Sequence, residues 1–141
     1  MRCATFSIST SAHDEAVLVT RQVEEVLASK APDAEGICTI FTPHTTAALT
    51  INEDADPDVR TDLVRAFRAM VPAVRFDHAE GNSDAHFLSA LIGVSLQVPF
   101  RNGKLLLGRW QGIWFLEFDG PRRREVQVWV ASQKAEGRSQ K

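Results

Sequence analysis

Cysteine is scarce in this chain: only Cys3 and Cys38 occur among 141 residues. Both lie in alternating apolar segments where a small side chain suits a strand, so two buried structural thiols are expected rather than a disulfide or a redox pair. Long apolar runs are missing as well. Nothing approaches the roughly 20 residues of a membrane span, and residues 1–10 alternate polar with apolar instead of running apolar like a signal peptide. A cytoplasmic protein without a membrane partner is the expectation. Charge of one sign is not in excess either. Sixteen Lys and Arg against eighteen Asp and Glu give a formal charge of -2, and apart from Arg122, Arg123, Arg124 and the extreme C-terminus the basic residues are dispersed, so nucleic acid is not an expected partner. A nucleophile elbow, a Walker loop and a dinucleotide fingerprint are all absent, which moves acyl transfer and nucleotide-triphosphate chemistry down the list.

What is present suits one compact domain: 44% hydrophobic and 24% charged residues over a length with no room for a second core. Residues 3–9 alternate as a strand with Ala4, Phe6 and Ile8 facing inward. A helix is expected over 16–30, where Val19, Val23, Val26 and Leu27 form a stripe and Pro32 marks the end. Two β-rich segments, 36–41 and 45–52, meet near His44. Asp56-Pro57-Asp58 announces a second helix carrying Val59, Leu63, Phe67 and Met70. After a polar loop, Ser83 is read as the cap of a short helix ending at Gly93. Residues 94–100 and 105–108 form a hairpin about Asn102-Gly103, whose residues tolerate positive φ. Strands over 110–118 and 125–130 complete an α+β domain spanning 1–130. The polar tail, 131–141, lacks apolar periodicity and is expected to fray.

Three histidines have unusual settings. His44 follows a strand, His78 sits in a polar loop, and His86 lies in the first turn of a short helix, where the positive helix end favours the neutral imidazole that binds metal. Three imidazoles with an open fourth position suit zinc, and imidazole also suits nickel; manganese fits if a carboxylate joins. Separations of 34 and 8 residues match no compact ligand motif, so spacing alone leaves a metal set and three unconnected histidines both open. His13 reads as a solvated surface residue.

Longer strings, two of which hold His44 and His86, are more specific. Phe41-Thr42-Pro43-His44-Thr45-Thr46-Ala47-Ala48-Leu49-Thr50-Ile51-Asn52-Glu53, Asn82-Ser83-Asp84-Ala85-His86, Gly93-Val94-Ser95-Leu96-Gln97-Val98-Pro99, Leu107-Gly108-Arg109-Trp110-Gln111-Gly112-Ile113-Trp114 and Glu117-Phe118-Asp119-Gly120-Pro121-Arg122-Arg123-Arg124 stand in this order. Together they resemble the blocks of the YjbQ family. That resemblance implies an α+β fold of seven or so mostly antiparallel strands in two packed sheets, with two longer helices and one short one. It further implies a homotrimer and a pocket holding the family's three histidines, which correspond to His44, His78 and His86. Members are described as thiamine-phosphate synthases, joining a pyrimidine diphosphate to a thiazole phosphate with release of diphosphate. An acid often follows the second histidine directly in that family; here Ala79 intervenes before Glu80.

Around this frame several residues have candidate roles. Glu53, with Asn52 beside it, is close in sequence to His44 and is a candidate proton acceptor, orienter of a ligand imidazole or fourth ligand, with solvation or helix entry near Asp56 as the alternative. Thr45 and Thr46 are candidate hydroxyl donors to a phosphate, ordinary strand positions being the alternative, and Gly81-Asn82-Ser83 is a candidate backbone anion site, a structural turn and cap being the alternative. Trp110 and Trp114 share a strand face for packing or stacking, with Gln111 opposite and available to a ligand. Arg122 and Arg124 alternate and form a candidate phosphate clamp, against a solvated strand face. Three classes of function follow: a metal-dependent transferase acting on a phosphorylated small molecule, a metal-dependent phosphoester hydrolase, or a non-enzymatic trimeric binding protein.

Overall fold

The computed structural model describes residues 2–134. Its elements are β1 (Arg2–Ser9), β2 (Glu15–Leu18), α1 (Thr20–Lys30), β3 (Ala34–Phe41), β4 (Ala47–Glu53), α2 (Pro57–Ala69), α3 (Ser83–Ile92), β5 (Ser95–Arg101), β6 (Lys104–Leu105), β7 (Gln111–Glu117) and β8 (Arg123–Lys134). Two antiparallel sheets result, one of five strands in the order β1-β8-β3-β5-β6 and one of three in the order β2-β7-β4.

The layers follow from the alternation of side chains. Ile8, Cys38, Ile40, Val98, Phe100, Val126, Val128 and Val130 line the inner face of the large sheet and meet Leu49, Ile113 and Phe115 of the small sheet, while Val19, just before α1, and Val23 and Leu27 of α1 close the core. On the other face of the small sheet, Ala48, Trp114, Leu116 and Phe118 form a second core under Leu88 of α3 and Val64 and Phe67 of α2. β7 is thus covered on both faces, which explains a nearly continuous apolar strand instead of an alternating one. Packing of this kind contributes on the order of 25 cal/mol per Å² of apolar surface removed from water.

Several expectations need correction. The apolar run 16–19 suits helix or strand, and pairing of Glu15–Leu18 with β7 makes its first part β2, so α1 starts at Thr20. Ser83 is the first residue of α3, not its cap; Asn82 occupies that position without a side-chain capping bond. Trp110 precedes β7 and is 54% exposed, whereas Trp114 is buried, so the two do not share a strand face. Residues 131–134 do not fray: they extend β8 and pair with β3 from Ala34↔Lys134 to Ile37↔Ala131, backbone hydrogen bonds ordering residues that have no apolar stripe. The remaining tail, 135–141, lies outside the described residues. Cys38 is buried, and burial pushes its thiol up to about 12, but Cys3 is exposed because it lies on the outward phase of β1. The hairpin stands as expected, with Asn102 and Gly103 both at positive φ, although β6 spans only two residues.

Candidate functional site: an imidazole-lined cleft

The chain leaves the large sheet at Phe41 and enters the small one at Ala47, and His44 lies on this crossing. Two bonds lock the crossing to the start of β8: the Thr42 hydroxyl donates to the Glu125 carbonyl at 2.9 Å, and Glu125 N–H donates to His44 Nε2 at 2.9 Å. Because Nε2 accepts, a neutral His44 must carry its proton on Nδ1. Burial and then the nearby Arg124 charge hold the His44 pKa below its ordinary 6.5, which keeps the ring neutral.

α3 brings His86 to the same place. The two imidazoles line one cleft of about 450 Å³ with Phe41, Pro43, Thr45 and Val94. His86 Nδ1 lies 3.1 Å from the Thr45 carbonyl, and since a carbonyl only accepts, the proton is on Nδ1. In the neutral tautomer so fixed, the lone pair is on Nε2. His78 approaches from the loop before α3, its ring edge-on to His86 with centroids 5.4 Å apart and its Nε2 3.8 Å from Glu80, the acid displaced by Ala79.

Whether the donors suit a metal can be judged from these protons. His86 has a free lone pair and a second partner that fixes its tautomer, the arrangement usual for a ligating imidazole, and His78 stands beside it. His44 has no free lone pair while it accepts from Glu125. Among the described residues no group of three or more His, Cys, Asp and Glu side chains is gathered to hold a metal ion. His86 is thus the imidazole whose geometry leaves a nitrogen open to an ion, with the His78 ring beside it, while His44 presents an Nδ1–H.

The other expected site residues are placed as follows. Thr45 lines the cleft through its carbonyl bond to His86. Thr46 is buried and accepts from Arg124 at 2.8 Å. Arg124 does not pair with Arg122 in a clamp: its guanidinium is filled by both carboxylate oxygens of Glu117 and by Thr46, while Arg122 is turned to Asp119. Asn82 donates to Asp119 at 2.9 Å, and its own Oδ1 is buried without a partner. Asn52 and Glu53 are not at His44. They end β4, and a strand rising about 3.3 Å per residue carries them roughly 20 Å from its start. Asn52 Oδ1 accepts from Glu53 N–H there, and Gln111 pairs with Glu53 while its side chain accepts from Gly108.

Glu117 is the residue that sequence reasoning missed. It is fully buried in an ion pair with Arg124 and accepts from Thr10 at 2.8 Å. Burial alone would raise its pKa; the hydrogen bonds from Arg124 and Thr10 outweigh that and bring it below 4.5. A signal was available, since a lone acid inside Ile113-Trp114-Phe115-Leu116-Glu117-Phe118 needs a buried partner and three arginines follow the next turn.

A two-sheet α+β protein with an imidazole-lined cleft at the sheet crossing is the class these features define. The chain belongs to the YjbQ family: residues 4–133 match the family model described as UPF0047 protein YjbQ-like. It is 45% identical over 130 residues to UPF0047 protein MJ1081 of Methanocaldococcus jannaschii, covering 92% of this chain and 94% of that one. It is 48% identical over 126 residues to UPF0047 protein YugU of Bacillus subtilis, covering 88% and 95%. A crystal structure of an uncharacterized YjbQ/UPF0047 family protein from Clostridium acetobutylicum is 43% identical and superposes with a TM-score of 0.85, covering 91% of this chain and 99% of that one. A hypothetical protein from Aeropyrum pernix, 35% identical, gives 0.87 over 94% and 100%.

Proposed function

We propose that the cleft handles a phosphorylated heterocycle, and that its reaction is the transfer implied by the family resemblance: a pyrimidine diphosphate and a thiazole phosphate are joined and diphosphate leaves. The supporting observation is the pair of fixed tautomers, a lone pair at His86 Nε2 and an N–H at His44 Nδ1, in one cleft with the apolar walls of Phe41, Pro43 and Val94. Apolar walls with a few convergent polar groups suit a flat ring. His78 and His86 would hold a divalent transition metal, zinc suiting imidazole best and nickel or manganese being alternatives. When bound, it supplies positive charge where the diphosphate leaves. His44 presents its Nδ1–H as a hydrogen-bond donor for a phosphate oxygen.

Diphosphate is expected only when both substrates are supplied to metal-replete protein. Its release from the pyrimidine diphosphate alone would make the protein a hydrolase, and no release under any condition would remove the enzymatic reading.

The assembly belongs to the same proposal. The outer face of the five-stranded sheet exposes Ile37 and Trp129, with Leu106 exposed beside it and Pro99 and Ala131 in the groove near Ile37. Apolar surface of this kind is usual where copies associate, and the homotrimer implied by the resemblance would cover it. Light scattering of the wild type should give three times the chain mass, and Trp129→Glu should yield monomer; a monomeric wild type would exclude the trimer.

A further inference from the structure

A second cleft, of about 410 Å³, lies between α2 and β2. One wall is a single face of α2, where Arg60, Val64 and Arg68 recur at four-residue intervals with Arg65 beside them. Asp14, Glu15 and Ala16 make the other wall.

Its charges are unequally satisfied. Arg68 is spent: Nε and Nη2 donate to the two oxygens of Asp14 at 2.6 Å, and Nη1 donates to Asp84. Glu15 is spent too, accepting from Ser11 N–H at 2.6 Å, Ala12 N–H at 3.2 Å and the Ser11 hydroxyl at 3.1 Å. Two guanidiniums remain. Arg60 lays one face over the Trp114 ring, 5.5 Å from its centroid, and its N–H edges have no hydrogen-bond partner among the described residues. Arg65 has only a 3.9 Å approach to Asp62, with both side chains about three-quarters exposed. Arg68 is thus taken up by Asp14 and Asp84, whereas Arg60 and Arg65 keep donors that no carboxylate of the cleft engages at hydrogen-bond distance.

We infer that this cleft is a second binding site, distinct from the imidazole-lined one, for a small organic phosphate monoester. Two planar forks with unused donors match the oxygens of a dianionic phosphate. Stacking on Trp114 orders one fork in advance and so lowers the entropic cost of binding. Ala16, which is buried, and Val64 give the organic part of the ligand an apolar floor.

The test is calorimetric titration of the full chain with phenyl phosphate and, separately, inorganic phosphate at low ionic strength. Phenyl phosphate should bind more tightly than inorganic phosphate, because only it reaches the floor. Arg60→Gln and Arg65→Gln should each weaken it about tenfold or more. His44→Gln and His86→Gln should leave the arginine-dependent binding unchanged, which separates this site from the proposed reaction centre. Both arginines are exposed, so the variants should keep wild-type thermal midpoints. Absence of binding at millimolar phenyl phosphate, affinity unchanged in both arginine variants, or loss in the histidine variants would each overturn the inference.

Discussion

Glu117→Ala is expected to lower the free energy of unfolding by about 3–5 kcal/mol, because it leaves the Arg124 guanidinium buried without its counter-ion. Urea unfolding of the folded variant measures this directly. Replacing both partners, as Glu117→Leu with Arg124→Met, should cost less than the sum of the two single replacements, since the apolar pair needs no solvation that the interior cannot supply. Strict additivity would mean that the pair is not coupled. The pH dependence has a definite sign. With its folded pKa held below the ordinary 4.5, Glu117 contributes its full stabilisation above pH 4.5 and loses it as pH falls through the folded value. Asp14, lowered from 3.8 despite burial by its bonds to Arg68 and His13, behaves alike at lower pH. The difference between wild type and Glu117→Ala should therefore shrink on acidification, and a difference that stays constant would contradict the assignment.

His86→Ala is expected to abolish bound transition metal and to reduce diphosphate release by about 100-fold or more, the order seen when even an outer partner of a ligand is lost. The tautomers separate the roles of the three histidines. His78→Ala should also lose metal. His44→Ala should keep it while slowing turnover by about 100-fold or more, as removal of a hydrogen-bond donor aimed at developing charge does. Elemental analysis of the three purified variants beside the wild type reads this out. Metal lost from all three would mean that His44 releases the Glu125 N–H to become a ligand; metal fully retained in His86→Ala would sink the metal reading.

Much of the fold was legible where local pattern and tertiary demand agree. The stripe of Val19, Val23 and Leu27 packs as its spacing implies, Asp56 accepts from Asp58 N–H at the head of α2, and Asn102-Gly103 turns the hairpin. Legibility failed where non-local pairing decides. Residues 15–18 are a strand only because β7 lies alongside, and 131–134 are ordered only because β3 offers its backbone. The site shows the same division. Strings containing His44 and His86 singled out those two, the resemblance added His78, and the fold brings His86 into one cleft with His44 and edge-on to His78. Nearness in sequence misled for Asn52 and Glu53, since an extended strand separates what the sequence puts side by side. Arg124 looked like a free phosphate ligand because its partner, Glu117, is hidden in an apolar strand.

The unequal burial of the two thiols makes the protein selectively addressable. Cys38, sealed in the core with a thiol pushed up to about 12, will not meet a maleimide near neutral pH, whereas Cys3 is exposed directly across from Trp129 in the β1–β8 register. A single fluorophore can therefore be attached without engineering. It would sit on the outer face of the large sheet, where its emission and anisotropy report whether another chain covers that face.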